Sequence, residues 1–183
     1  IKIRKSGIVL RGEGDTEDGT VIIAEGTGTR DLINVDNDSR RTIFSESRKS
    51  IVEDYVPVGR KFVIISGTSG YEVGDDIVLY RPGTSKWIAD IKMNQLTPSA
   101  GTKQWSASSY SFYFERKITR ISVDTLFFRN PLVMAMDKKY GSGAVYKYSF
   151  NRLQNIGIED LCLKSAYKSE TDENHSWNAI QFS

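Results

Sequence analysis

Apolar side chains in this sequence alternate with polar ones over short runs, and Gly, Asn or Asp residues separate the runs. Alternation with a period of two is typical of a β-strand with one buried face, whereas a helix repeats apolar positions three and four residues apart. The best helical candidate, residues 45–55, has only a thin apolar stripe. The pattern therefore predicts an all-β protein. The predicted strands lie within residues 6–14, 19–29, 31–35, 52–59, 61–66, 75–82, 114–128, 144–150, 155–165 and 178–183.

The spacing of the strands divides the chain into three sections. Residues 1–45 and 152–183 contain short strands with tight turns, which suit a solenoid whose coils rest on one another. Residues 46–151 contain longer and more aromatic runs with looser connections. We predict first coils in residues 1–45, a β-rich insertion (a small barrel or hairpin module) in residues 46–151, and returning coils in residues 152–183.

The segment 155–165 carries the solenoid prediction in most detail. Ile156 and Ile158 alternate with polar residues, the pair Glu159-Asp160 interrupts the pattern, and Leu161 and Leu163 then resume it. Two short strands with a corner between them would produce this pattern. Ile8 and Leu10 are expected to line the same interior. An antiparallel sandwich has strands of the same appearance, so alternation alone leaves both architectures open.

Three segments resemble one known superfamily. SGIVLRGEGDTEDGTVIIAEGTGT (6–29) is similar to the early coils of the pectin-lyase-like, right-handed parallel β-helix proteins of bacteria and phages. NRLQNIGIEDLCLKS (151–165) resembles their recurring coil, and DENHSWNAIQFS (172–183) resembles the next coil in some carbohydrate-active members. The resemblance implies a right-handed parallel β-helix, all-β in class, with a β-rich insertion between coils. It indicates the fold more specifically than the reaction, because this fold carries several activities.

Composition and charge exclude several classes of protein and site. The apolar fraction is 39%, the mean hydropathy is −0.39, and no run approaches the roughly 20 apolar residues of a membrane span. Lys and Arg number 25 against 23 Asp and Glu, so no charge excess points to nucleic acid or an anionic membrane surface. A single cysteine, Cys162, excludes an intramolecular disulfide, and a single histidine, His175, excludes a site that needs two.

The densest polar cluster lies in the loop that precedes the last predicted strand. Asp172, Glu173 and His175 are the candidate catalytic residues, because carboxylates act as acids and bases and imidazole transfers protons near neutral pH. The same carboxylates could bind Ca²⁺, although the sequence fixes neither a cofactor nor a metal site. Trp177 and Asn178 are candidate substrate contacts, since an indole offers a flat face to a sugar ring. The alternative is a solvated loop whose Trp177 packs on the coil below.

Four further residues are candidate substrate contacts. Lys164 and Lys168 flank the strand before the acidic loop, and the resemblance to β-helix lyases implies a cationic side chain beside a uronate. Isolated surface lysines are the simpler interpretation. Tyr110 and Tyr113 are candidate surface rings, although aromatic residues of the middle section could instead form its small core.

The resemblance implies a secreted or cell-surface protein that acts on a polysaccharide, as a lyase or glycoside hydrolase. The alternative is a non-catalytic surface, adhesin or structural assembly protein with the same fold. The expected partner is a polysaccharide, with no nucleic acid and no membrane span. The strand-like residues 178–182 stand next to the last residue. We therefore expect the remaining coils of a longer chain, or a neighbouring subunit, at that end.

Overall fold

The computed structural model describes residues 1–183, with the exception of the side chain of Ser108. Strands account for 41% of the chain and helices for 6%, which confirms the all-β class. Two compact units are present, and each is described by itself below. Unit 1 comprises residues 1–40 and 150–183, and unit 2 comprises residues 41–149. No helix in the described part of the chain has the length and apolar character to span a membrane.

Unit 1 consists of three small parallel sheets, and each sheet joins segments from opposite ends of the sequence. β2 pairs with β13, β3 with β14, and β4 with β15, while β1 lies on the other side of β4. The resemblance to parallel β-helix proteins implied parallel pairing, and β2–β13, β3–β14 and β4–β15 are all parallel pairs. The strands of unit 1 are β1 (Lys2–Ile3), β2 (Val9–Arg11), β3 (Val21–Ala24), β4 (Arg30–Val35), β13 (Gly157–Glu159), β14 (Cys162–Ser165) and β15 (Ser176–Phe182).

A small apolar core lies between these sheets. Ile3, Ile33 and Val35 are buried, and the side chains packed against them come from several strands and turns. They are Leu10, Leu32, Leu153, Ile156, Ile158 and Leu163. The expectation for Ile8 is wrong: its side chain is 41% exposed, because it precedes β2 and only Leu10 reaches the core.

The predicted corner within residues 155–165 is present. β13 ends at Glu159, β14 begins at Cys162, and Asp160 between them adopts a left-handed conformation with φ of 55°. Asp tolerates this conformation better than most residues. Gly12 on the neighbouring segment passes directly beside this corner, and its N–H donates to the Glu159 carbonyl at 3.1 Å. An added Cβ at Gly12 would overlap the Asp160 carbonyl oxygen.

Unit 2 is built around a six-stranded antiparallel sheet with the order β5-β12-β8-β9-β10-β7. Its two edge strands meet through a bridge between Ile51 and Ile65, with hydrogen bonds from Val52 N–H to Ile64 and from Ser66 N–H to Ser50, so the sheet closes on itself. The strands of unit 2 are β5 (Thr42–Ser50), β6 (Tyr55–Val56), β7 (Phe62–Ile64), β8 (Asp76–Arg81), β9 (Phe112–Ser122), β10 (Thr125–Phe128), β11 (Met136–Asp137) and β12 (Ala144–Ser149).

The interior of this closed sheet is filled by apolar side chains. Val63, Ile77, Leu79, Leu126 and Val145 have no exposed surface and belong to one core cluster. The buried Tyr71 donates its hydroxyl to the carbonyl oxygens of Ser47 and Val145, at 2.7 and 3.0 Å, and burial raises its pKa to about 12.

Three details of unit 2 refine the pattern-based expectations. Residues 45–55, whose thin apolar stripe did not support a helix, are not helical: β5 occupies most of the segment, because it pairs with β12. Residues 114–128 belong to two strands, with a turn at Val123. A short helix, α1 (Ser85–Asp90), was not predicted; Thr84 caps it by accepting a hydrogen bond from Trp87 N–H. The interpretation of residues 46–151 as an insertion stays a prediction.

We expect Gly12→Ala to lower the free energy of unfolding of unit 1 by about 1–3 kcal/mol, the usual cost of overpacking. The added methyl group would push against the Asp160 backbone and approach Leu161 Cδ2 and Thr20 Cβ to 2.7 Å. Urea titration followed by the amide NMR signals of unit 1 measures the change.

Gly14→Ala is the matched control in the same turn. Its Cβ would meet its nearest neighbour, the Gly19 Cα, at 3.4 Å, which is ordinary contact. We expect this variant to stay within about 0.5 kcal/mol of the wild type. Equal destabilisation by the two substitutions would contradict the close approach at Gly12.

Candidate functional site

The loop between β14 and β15 is organised around the Asp172 carboxylate. One oxygen accepts the backbone N–H of Lys168 and the other accepts the backbone N–H of Asn174, each at 2.9 Å. These two backbone hydrogen bonds lower the pKa of Asp172. The carboxylate is therefore ionised at neutral pH and holds the loop in its conformation.

His175 is also engaged by its surroundings. Its Nδ1 lies 2.9 Å from the Ser176 carbonyl oxygen and 3.1 Å from Ser165 Oγ. A carbonyl oxygen only accepts hydrogen bonds, so the contact with Ser176 assigns the proton to Nδ1. Nδ1 in this tautomer cannot take a proton from the Ser165 hydroxyl, and this arrangement does not activate Ser165 as a nucleophile.

Trp177 occupies a special position on β15. Ser176 pairs with Arg30 and Asn178 pairs with Asp31, so Trp177 is the extra residue of a β-bulge. Bulges redirect a side chain and are frequent near functional sites. The indole is 60% exposed, and its Nε1–H donates to the Glu173 carbonyl oxygen at 2.9 Å. The ring is therefore fixed in orientation while much of its surface remains open.

Polar groups with fixed hydrogen bonds lie beside the indole. Asn178 Nδ2 donates to Asp31 Oδ1 at 2.9 Å, and Asn34 Nδ2 donates to Asp31 Oδ2 at 2.9 Å. The hydrogen bond from Asn178, followed by that from Asn34, lowers the pKa of Asp31. A shallow pocket of about 170 Å³ brings Trp177, Asn178 and Asp31 together with Arg30. This arrangement offers one apolar ring and several hydrogen-bonding atoms on one surface.

The two predicted lysines have different surroundings. Lys164 Nζ lies 2.5 Å from Glu17 Oε1, and this partner raises the pKa of Lys164. Lys164 also borders a second pocket beside Trp177, of about 180 Å³. Lys168 borders a different pocket, of about 210 Å³, together with Tyr167, Asp172 and Asn174.

Both predicted tyrosines belong to unit 2. The Tyr110 ring stacks on Trp105 with centroids 3.8 Å apart, and Trp87 lies 6.1 Å from Trp105. One face of Tyr110 is thus covered by an aromatic cluster. Tyr113 lies on β9 and is 43% exposed.

The structure does not combine the three candidate catalytic residues into one acid–base centre. Asp172 is held by backbone groups, Glu173 contributes its carbonyl oxygen to Trp177, and its side chain is exposed. Their catalytic role stays a prediction. No group of three His, Cys, Asp or Glu side chains among those described is placed to hold a metal ion.

Comparison with known proteins gives matches among solved structures only. No protein-family model and no curated protein matches the chain. Among solved structures, tailspike gp61 of Pseudomonas phage phi297 is 13% identical with a TM-score of 0.40, over 87% of this chain and 22% of that one. Tailspike gp49 of Pseudomonas phage LKA1 is 18% identical with a TM-score of 0.38, and the match covers 86% of this chain and 23% of that one.

A third match is the Gp54 tailspike of Acinetobacter baumannii bacteriophage AP22, solved in complex with A. baumannii capsular saccharide. It is 10% identical with a TM-score of 0.40, over 89% of this chain and 25% of that one. This chain therefore spans about a quarter of the length of the tailspikes that it matches. Identities and TM-scores at this level establish neither a family nor a function, so the function must be argued from the residues of this chain.

Asp31 and Arg30 are the site residues that sequence reasoning missed. Asp31 is the second residue of β4, and its partner Asn178 is 147 positions away in the sequence. No local motif signals such a contact. Only the pairing of β4 with β15 brings the two side chains together.

We expect Asp172→Ala to accelerate hydrogen exchange at the amides of Lys168 and Asn174, because both lose their acceptor. Glu170→Ala removes an exposed carboxylate of the same loop and is the control. In the wild type the pKa of Asp172 is lower in the folded state than in the unfolded state. The ionised carboxylate therefore adds to the free energy of unfolding above the usual pKa of a carboxyl group, and this stabilisation is lost as the pH falls through the lowered pKa.

Hydrogen exchange measured by NMR and a ¹³C titration of the Asp172 carboxyl check these points. Unchanged exchange at both amides in Asp172→Ala, or an ordinary pKa for Asp172, would contradict the assigned role.

Proposed function

We propose that this protein binds a polysaccharide through the surface around Trp177. The observation that carries the proposal is the indole itself, which is 60% exposed, lies on a β-bulge and is tethered through Nε1. An indole with an open face packs against the apolar face of a sugar ring. The neighbouring Asn178 amide and Asp31 carboxylate supply donors and acceptors for sugar hydroxyls.

We also propose that unit 1 forms successive coils of a right-handed parallel β-helix. The strands β2, β3 and β4 meet β13, β14 and β15 in the same order, as one coil resting on another would. β1 reaches β4 through β2 and β3, and parallel crossovers of this kind are right-handed in roughly 98% of cases. This architecture would present Trp177 on the outside of a coil.

Binding without catalysis is the form of the function that the side chains support best. Hydrolysis of a glycosidic bond needs two carboxyl groups on either side of that bond, one of which gives a proton. Both oxygens of Asp172 and both of Asp31 already accept hydrogen bonds, and these bonds favour the ionised form of each. The prediction of a lyase or glycoside hydrolase stays a prediction, and the experiment below includes a direct readout of it.

The proposed binding function agrees with two expectations, a location outside the cell and a further partner at the edge strand β15. A polysaccharide-binding coil of this kind suits a secreted or cell-surface protein. β15 pairs with β4 on one side only, and Phe182, in register with the buried Val35, is 62% exposed. Pairing of a further coil or a neighbouring subunit with this edge stays a prediction.

We expect Trp177→Ala to weaken binding to a recognised polysaccharide by about fivefold or more, because truncation of an aromatic contact at the centre of a binding surface costs over about 1 kcal/mol. Binding of the full chain to a panel of purified acidic and neutral bacterial surface polysaccharides measures the effect. Tyr55→Ala is the control, since Tyr55 is 54% exposed and lies in unit 2.

Absence of binding to every polysaccharide in the panel, or equal binding by wild type and Trp177→Ala, would overturn the proposal. The same mixtures are assayed for new reducing ends and for the ultraviolet absorbance of unsaturated sugar ends. Appearance of either product with the wild type would replace binding alone by the enzymatic alternative.

A further inference from the structure

A row of tyrosines crosses the outer face of the closed sheet in unit 2. Ile77 and Leu79 of β8 point into the core, so Tyr80, which alternates with them, points outward. Tyr80 pairs with Tyr113 on β9, and Tyr146 lies diagonally across on β12. The ring centroids of Tyr80 lie 5.1 Å from Tyr113 and 6.2 Å from Tyr146. We call these three residues the tyrosine row.

Hydrogen bonds of the hydroxyl groups hold two rings of the row in place, and the third ring is exposed to solvent. Tyr80 Oη lies 3.2 Å from Ser111 Oγ, and Tyr146 Oη accepts a hydrogen bond from Arg48 Nε at 3.1 Å. Tyr113, at the other end, is 43% exposed, although the Arg41 guanidinium lies over one face of its ring, 4.9 Å from the centroid. Tyrosine loses little conformational entropy on binding and combines an apolar ring with a polar tip, which suits a recognition surface.

The charges around the row do not balance. Arg41 Nη1 pairs with Glu115 Oε1 at 3.1 Å, and Lys117 pairs with Asp76 at 2.8 Å. Arg48, by contrast, contacts only neutral oxygens: Tyr146 Oη and, at 3.2 Å, Ser50 Oγ. Among the described side chains, no carboxylate lies within ion-pair distance of Arg48, whose side chain is exposed. The row therefore ends beside one exposed positive charge that has no counter-charge.

We propose that the tyrosine row is a binding site for an acidic sugar residue of the polysaccharide. The sugar chain lies along the row, and the carboxylate of the sugar residue beside Tyr146 accepts hydrogen bonds from the Arg48 guanidinium. A guanidinium matches a carboxylate through paired N–H donors, and two of its five donors are already directed at Tyr146 and Ser50, which fixes its position. The inference rests on the proposed polysaccharide-binding function and names a second site and a sugar class for it.

The test compares two forms of one ligand. Trigalacturonate and its methyl ester share a sugar chain, but only the former carries carboxylates. We expect the wild-type full chain to bind trigalacturonate about tenfold or more tightly than the ester, since hydrogen bonds to a charged group supply that difference. Titration by NMR should shift the amides of residues near Tyr80, Tyr113 and Tyr146. Binding should weaken as ionic strength rises, because the carboxylate–guanidinium attraction is screened.

Variants assign the contact to individual side chains. Arg48→Gln should remove the preference for the acid form and leave binding of the ester unchanged, whereas Tyr113→Ala should weaken binding of both. Arg129→Gln removes an exposed positive charge from the turn after β10. This variant should bind both the acid and the ester as the wild type does. An unchanged amide spectrum outside the row shows that each variant is folded.

Equal affinity of the wild type for acid and ester would overturn the proposal, as would equal losses in Arg48→Gln and Arg129→Gln. Loss of trigalacturonate binding in Trp177→Ala but not in Arg48→Gln would place the acidic sugar at unit 1 instead. The proposed function fails by a different result, namely when Trp177→Ala leaves polysaccharide binding intact, so the two failures are distinguishable.

Discussion

Backbone pairing between the two ends of the sequence is the interaction on which unit 1 depends. β2 and β13 are three residues long and β3 and β14 are four, and a two-stranded pair of that length is not stable alone. Their N–H and C=O groups are satisfied across the pairs, and the side chains between them enclose the core of Ile3, Ile33 and Val35. The bulge that exposes Trp177 exists only because β15 lies along β4.

The length of chain between these partners would make such pairing costly if that chain were disordered. Unit 2 avoids much of the cost by its own topology. Its first strand, β5, and its last strand, β12, are neighbours, and Thr42 pairs with Ser149 at their ends. Once unit 2 is folded, the chain re-emerges beside the point at which it entered. The two chain ends of unit 2 therefore lie side by side.

The sequence predicted what depends on local pattern and failed where distant partners decide. Alternation identified β2, β13 and β14, and the interruption at Glu159-Asp160 identified a corner. The same pattern does not identify partners, so neither the Asp31–Asn178 contact nor the bulge at Trp177 could be predicted. The tyrosine row requires the register of three strands, and α1 is too short for helical periodicity to reveal it. Trp177 and Asn178 were nevertheless identified as candidates from residue chemistry alone.

Two surfaces with rigid aromatic side chains emerge from this architecture, each with its polar atoms already held by hydrogen bonds. The surface around Trp177 depends most directly on the pairing of β4 with β15. A nuclear Overhauser experiment on the isotope-labelled full chain measures that pairing directly. We expect parallel-type contacts that link Ser176 with Arg30 and Asn178 with Asp31, and leave Trp177 without a backbone partner. Contacts of antiparallel type, or a continuous register that pairs Trp177 with Asp31, would contradict this expectation.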